Sequence, residues 1–79
     1  MSNEKKLIEI ISSFIGVAKE KISDDISYES TMSWDSITHL KMVSEIEDEF
    51  NIEFEIDEII SMEDIGKIKK IFESKFYSD

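Results

Sequence analysis

The sequence predicts an all-α fold, a small bundle of three longer helices and one short one, with a long loop between the first two. Three observations lead there. Apolar residues recur at steps of three and four in three separate stretches, the period of a buried helix face. Only one stretch alternates like a strand, and no second strand exists to pair with it. The 79 residues form one domain, 1–79, with no proline, no repeat, no low-complexity tract and no flexible linker.

The first helix is predicted over about Asn3 to Val17. Leu7, Ile11, Phe14 and Ala18 share a face, flanked by Ile8, Ile10 and Ile15. Gly16 and the polar run after Ile22 mark its end. Residues 23–35 mix Ser, Asp and Thr with Ile26, Tyr28, Met32 and Trp34. This is a long ordered loop, pinned by some of those apolar side chains; loops of this length in small domains are functional or packed. Asp35 is a good N-cap for the second helix. Ile37, Leu40, Val43, Ile46 and Phe50 follow at steps of 3, 3, 3 and 4, and Asn51 ends the run. Ile52, Phe54 and Ile56 then alternate with Glu53 and Glu55. Without a partner strand this segment reads as an extended connector held by its apolar residues. Asp57 to Ser61 forms one short helical turn. Ser61 is expected to cap the last helix, with Asp64 three residues on, and Ile65, Ile68, Ile71, Phe72 and Phe76 make its buried stripe.

Composition narrows the function. Nine lysines and no arginine stand against 19 acids, a net charge of −10 and a pI near 4.4. Such a surface repels nucleic acids and anionic membranes, so its partners are expected to carry basic patches. The negative charge lies in the last two-thirds of the chain. The absence of cysteine excludes disulfides, zinc–cysteine sites and a thiol nucleophile. No run approaches the ~20 apolar residues of a membrane span, and the N-terminus has no signal-peptide pattern. A cytoplasmic monomer is expected. A core this small leaves little volume for a deep pocket of roughly 300 Å3 or more, which favours a module handled by larger proteins over an enzyme.

Four constellations are chemically suggestive. Ser36 and His39 stand at i and i+3, but no orienting acid, oxyanion hole or cleft can be assigned, and an exposed helical histidine is the expectation. The acids of 24–35 lack the spacing and glycine of a calcium loop, so no metal site is assigned. Glu45, Glu47, Asp48 and Glu49 crowd the C-terminal part of the second helix, where the macrodipole disfavours each by roughly 0.3–1 kcal/mol. From the residues alone, a solvated face and a docking face for a basic partner both stand. Ser36 lies at the first turn of that helix beside Asp35, where a phosphodiester would meet the positive end of the dipole. It is also one of 12 serines, and a plain helix-start serine is the simpler reading.

Asp35-Ser36-Ile37, opening an amphipathic helix that runs through Thr38-His39-Leu40-Lys41-Met42-Val43-Ser44-Glu45-Ile46-Glu47-Asp48-Glu49-Phe50, resembles the D-S-[LI] signature of the acyl carrier proteins and the related peptidyl and D-alanyl carriers. The likeness continues through the Ile52/Phe54/Ile56 connector and Ser61-Met62-Glu63-Asp64-Ile65, with 35 residues before the serine and 43 after it. The resemblance implies a four-helix carrier fold. It implies a 4′-phosphopantetheine arm, moved from coenzyme A to Ser36 by a phosphopantetheinyl transferase, whose thiol holds acyl groups as thioesters. Asp35 would be the acid that helps position metal and serine in the transferase complex. Glu45, Glu47, Asp48 and Glu49 would form the recognition helix for acyl-loading and acyl-transferring enzymes, with Ile37 and Lys41 on the same partner-facing surface; Trp34, next to the arm, either contacts a partner or the cargo or is a loop residue packed on the bundle edge.

The chain departs from the fatty-acid branch of that family in Ser33 and Trp34 before the aspartate, where small residues are common, in Ile37 for leucine, in Lys41 at an often acidic position, and in His39. These point to a stand-alone carrier in a dedicated pathway, polyketide-like or fatty-acid-like. Ile37, Leu40, Val43, Ile46, Phe54, Ile60 and Ile65 are candidate walls for the cargo, or ordinary core. The alternatives are an aminoacyl, D-alanyl or peptidyl carrier and, from another class, an acidic helical interaction module without cofactor.

Overall fold

The computed structural model describes residues 3–77. Its helices are α1 (Asn3–Ile15), α2 (Ser36–Phe50), α3 (Ile56–Ser61) and α4 (Ile65–Phe76), with a single 3-10 turn at Lys19–Lys21. This is the predicted small helical bundle.

α1 turns its Leu7, Ile11 and Ile15 face inward and stops at Gly16, whose φ of +73° only glycine adopts without strain. The helix is shorter than expected, and Ala18 falls outside it. The end is sealed by side chains: Ser12 Oγ donates to the Val17 carbonyl and Ser33 Oγ to that of Ile15. α2 and α4 lay Met42, Val43, Ile46 and Phe50 against Ile65, Ile68 and Phe72. Trp34, Phe54 and Met62 enter the same core from the connecting segments. Phe72 and Phe76 stack at one end and Phe50 meets both edge-on, with centroids 4.7–5.2 Å apart.

The second helix carries a correction. Ile37 and Leu40, expected in its buried stripe, are 65% and 59% exposed, while Met42, outside that stripe, is fully buried. Each step of three residues falls about 60° short of a full turn. Three such steps carry a stripe about 180° around the helix between Ile37 and Ile46. The inward face is instead His39, Met42, Val43, Ile46 and Phe50. Ile56 is also exposed, because it opens α3 and does not close the connector.

The cap of α4 differs too. Its N-cap is Asp64, whose carboxylate accepts the Lys67 N–H at 2.8 Å. Ser61 is the last residue of α3 and turns its hydroxyl back to the Asp57 carbonyl. The long loop is ordered chiefly by its backbone. Tyr28 N–H donates to Glu63 O, Ile65 N–H to Ile26 O and Gly66 N–H to Asp24 O, at 2.8–3.0 Å. This short ladder lays the loop along the start of α4. Gly66 suits the approach, since a Cβ there would lie 3.3 Å from that of Asp24. Of the four apolar loop residues, Trp34 is buried and Ile26 half-buried, whereas Met32 is fully exposed and Tyr28 is 42% exposed.

Candidate functional site

Ser36 is exposed at the first position of α2. Asp35 holds it there. The Asp35 carboxylate accepts the Thr38 N–H at 2.8 Å, and its carbonyl takes the His39 N–H at 2.8 Å. The bond from the Thr38 backbone, followed by that from the Thr38 hydroxyl, pulls the Asp35 carboxyl below the usual carboxylate range. Upstream, Ser33 ties the segment to the end of α1, and the Trp34 N–H bonds the Thr31 carbonyl at 3.0 Å. The two residues that depart from the small-residue pattern therefore anchor the turn before Ser36.

Trp34 is 1% exposed and presents no surface to a partner. Its large ring completes the core under the loop. His39 is not an exposed helical histidine either. Its Nδ1 accepts the Trp34 indole N–H at 3.0 Å, and its Nε2 lies 2.9 Å from the Ile59 carbonyl. With both ring nitrogens engaged, His39 has none left to activate Ser36.

A groove of about 360 Å3 runs beside Ser36, open to solvent. Leu40, Ile59, Ile60 and Met62 give it apolar walls, and Tyr28, His39 and Glu63 supply polar atoms. Of the expected cargo walls, only Leu40 and Ile60 line it, and both are well exposed. Val43, Ile46 and Ile65 are buried core, as is Phe54, while Ile37 projects outward. Sequence reading missed Ile59, Met62 and Glu63 as groove residues, because the packing of α3 against α2 brings them there. Met62 and Glu63 did stand in the stretch that carried the family likeness.

The acids of α2 divide into two pairs. Glu47 Oε2 accepts the Phe54 N–H at 2.8 Å and so pins the connector, while Glu49 pairs with Lys6 of α1 at 2.6 Å. Glu45 and Asp48 are exposed. Lys41 is exposed and makes no ion pair with Glu45 among the described residues. It lends a minor favourable field to Asp35. The acids of residues 24–35 do not gather around a centre: among the described residues no group of three His, Asp or Glu could hold a metal. No described helix is long and apolar enough to cross a membrane.

A family model described as phosphopantetheine attachment site matches residues 5–71. Domains of that family bear covalently attached 4′-phosphopantetheine and are carriers without catalysis of their own. The residues around Ser36 fit such a group. An exposed hydroxyl stands at a helix start, where a phosphodiester is favoured, and an apolar groove opens alongside for an extended arm.

Proposed function

The chain belongs to the phosphopantetheine-attachment family, and from that premise we propose that it is a stand-alone acyl carrier protein whose arm is attached at Ser36. The observation that carries this reading is the placement of Ser36, exposed at the first turn of α2, fixed by the Asp35 cap and flanked by the groove. The transferase reaction joins Ser36 Oγ to the phosphorus of the arm as the pyrophosphate bond of coenzyme A breaks; adenosine 3′,5′-bisphosphate leaves, and the hydroxyl proton passes to base. When attached, the arm supplies the thiol that this cysteine-free chain lacks.

The protein's own residues position and present. Asp35 orders the backbone around Ser36, and the dipole of α2 favours the phosphodiester. Leu40 and Ile60 offer the arm an apolar resting surface. Glu45 and Asp48, with the exposed Ile37, face basic docking sites on the phosphopantetheinyl transferase and on acyl-loading and acyl-transferring enzymes. The carrier works as a cytoplasmic monomer in a dedicated biosynthetic pathway.

Incubation with coenzyme A and a broad-specificity transferase, followed by intact mass measurement, tests the assignment. Wild type gains one arm and Ser36→Ala gains none. An unmodified wild type, or a Ser36→Ala protein that still gains the arm, overturns it.

A further inference from the structure

His39 lies on α2, yet its ring is built into the junction with α3. Because the Trp34 indole can only donate, His39 Nδ1 accepts and carries no proton; Nε2–H then donates to the Ile59 carbonyl. Tyr28 stands edge-on to both rings, with centroids 6.2 Å away. One chain of hydrogen bonds thus runs from the loop through α2 to α3. The groove beside Ser36 stops at this bridge. His39 and Met62 belong to its wall, whereas Trp34, Met42 and Ile46 are no part of it.

We infer that the Trp34–His39–Ile59 bridge shuts the bundle interior against cargo, so that this carrier holds short acyl groups in the groove beside Ser36 and takes no long alkyl chain into its core. The inference rests on Ser36 carrying the arm. For a long chain to pass between α2 and α3, the Ile59 carbonyl must leave His39. The His39 Nε2–H then loses its acceptor beside an apolar chain, while the Ile59 carbonyl keeps only the longer 3.3 Å bond from the Met62 N–H, and a polar group left unpaired in such surroundings opposes the opening. The core side chains Met42, Ile46, Ile65 and Ile68 are fully covered, so a chain entering among them must displace packed neighbours. His39 thereby sets cargo length as a positioning residue, without touching the reacting atoms.

The test compares butyryl and myristoyl groups, each transferred with its arm from the corresponding coenzyme A thioester by a broad-specificity transferase and verified by intact mass. Thioester cleavage by hydroxylamine is then timed, because a sheltered fraction slows cleavage in proportion. One buried methylene changes an equilibrium about fourfold, so interior burial of even two would separate the cargoes by more than about tenfold. Wild type is expected to release both within about twofold of each other, with the methyl resonances of Ile46, Ile65 and Ile68 unchanged between them. Trp34→Phe keeps an aromatic ring and loses the indole donor, and His39→Leu removes the bridge. In these variants myristoyl release should slow relative to butyryl. Protection of myristoyl in wild type, or movement of the core methyls, overturns the inference whether or not the variants fold. So does equal release of both cargoes from variants shown folded by circular dichroism. Failure to load Ser36 at all is read by mass alone and overturns the functional reading together with this one.

Discussion

The residues around Ser36 have their roles set by hydrogen bonds that differ from the first expectation for their types. Ser33 and Trp34 replace small residues, yet each anchors the turn, one to the end of α1 and the other to the core and His39. Asp35 is legible from sequence as an N-cap, and its geometry gives a pH prediction. Its folded carboxyl titrates below its unfolded value because the Thr38 backbone and hydroxyl bond the charged form. A lowered folded value contributes stability above the unfolded range, near about pH 3.9 for aspartate, and loses it as pH falls through the folded value. Asp35→Asn preserves the cap acceptor without its titration. The variant should match wild type closely at neutral pH and lose less stability between neutral pH and the acid transition. Denaturant melts at a series of pH values measure this, and parallel curves for the two proteins would show that the cap does not couple to the proton.

At the scale of the element, the acids of α2 do not act as one block. Glu47 accepts the Phe54 N–H and holds the connector that delivers Phe54 to the core. Glu47→Lys should therefore cost about 1.5–3 kcal/mol, the worth of a hydrogen bond to a charged group. Asp48 is exposed at the negative end of the helix dipole, and Asp48→Lys should be neutral or stabilise by roughly 0.3–1 kcal/mol. Urea denaturation of the two variants decides, and equal effects would refute the division. The same helix shows what the sequence made legible. Its start at Ser36 and stop at Asn51 follow from local chemistry, a carboxylate cap and a left-handed residue with φ of 56°. Its inward face does not, because apolar residues at steps of three rotate around the axis, and only packing selects which of them are covered. Ser61 was the expected cap of α4, but the ladder between residues 24–28 and 63–66 places the helix start after Asp64. The groove was the least legible feature, since Ile59, Met62 and Glu63 meet Ser36 only through the placement of α3. Ser36 itself was recoverable because its signal, a capped helix start within a family pattern, is local.

For the whole molecule the governing quantity is charge. A net charge of −10 is spread over a body of 35 × 29 × 19 Å, a few Debye lengths across at physiological salt, about 8 Å each. Lysines staple elements together: Lys6 to Glu49 joins α1 to α2, Lys75 to Glu58 joins α4 to α3, and Lys69 bridges Asp24 and Glu4. Surface pairs of this kind contribute about 0–1 kcal/mol each. Salt weakens them and also relieves the mutual repulsion of the excess acids, which involves many more pairs of like charge. The balance favours relief, so sodium chloride and magnesium should raise the melting temperature. Docking responds in the opposite sense. If Glu45 and Asp48 steer basic partners, the rate at which a transferase loads Ser36 at limiting carrier concentration should fall as the same salt is added. Asp48→Lys should be loaded more slowly than wild type at low ionic strength, and the difference should shrink at high. Thermal scans and loading rates over one sodium chloride series, with wild type and Asp48→Lys side by side, test both halves. A melting temperature that stays flat or falls would mean that the lysine staples already compensate the acids. Loading rates for the two proteins that agree at every salt concentration would reduce the exposed acids of α2 to a solvated face.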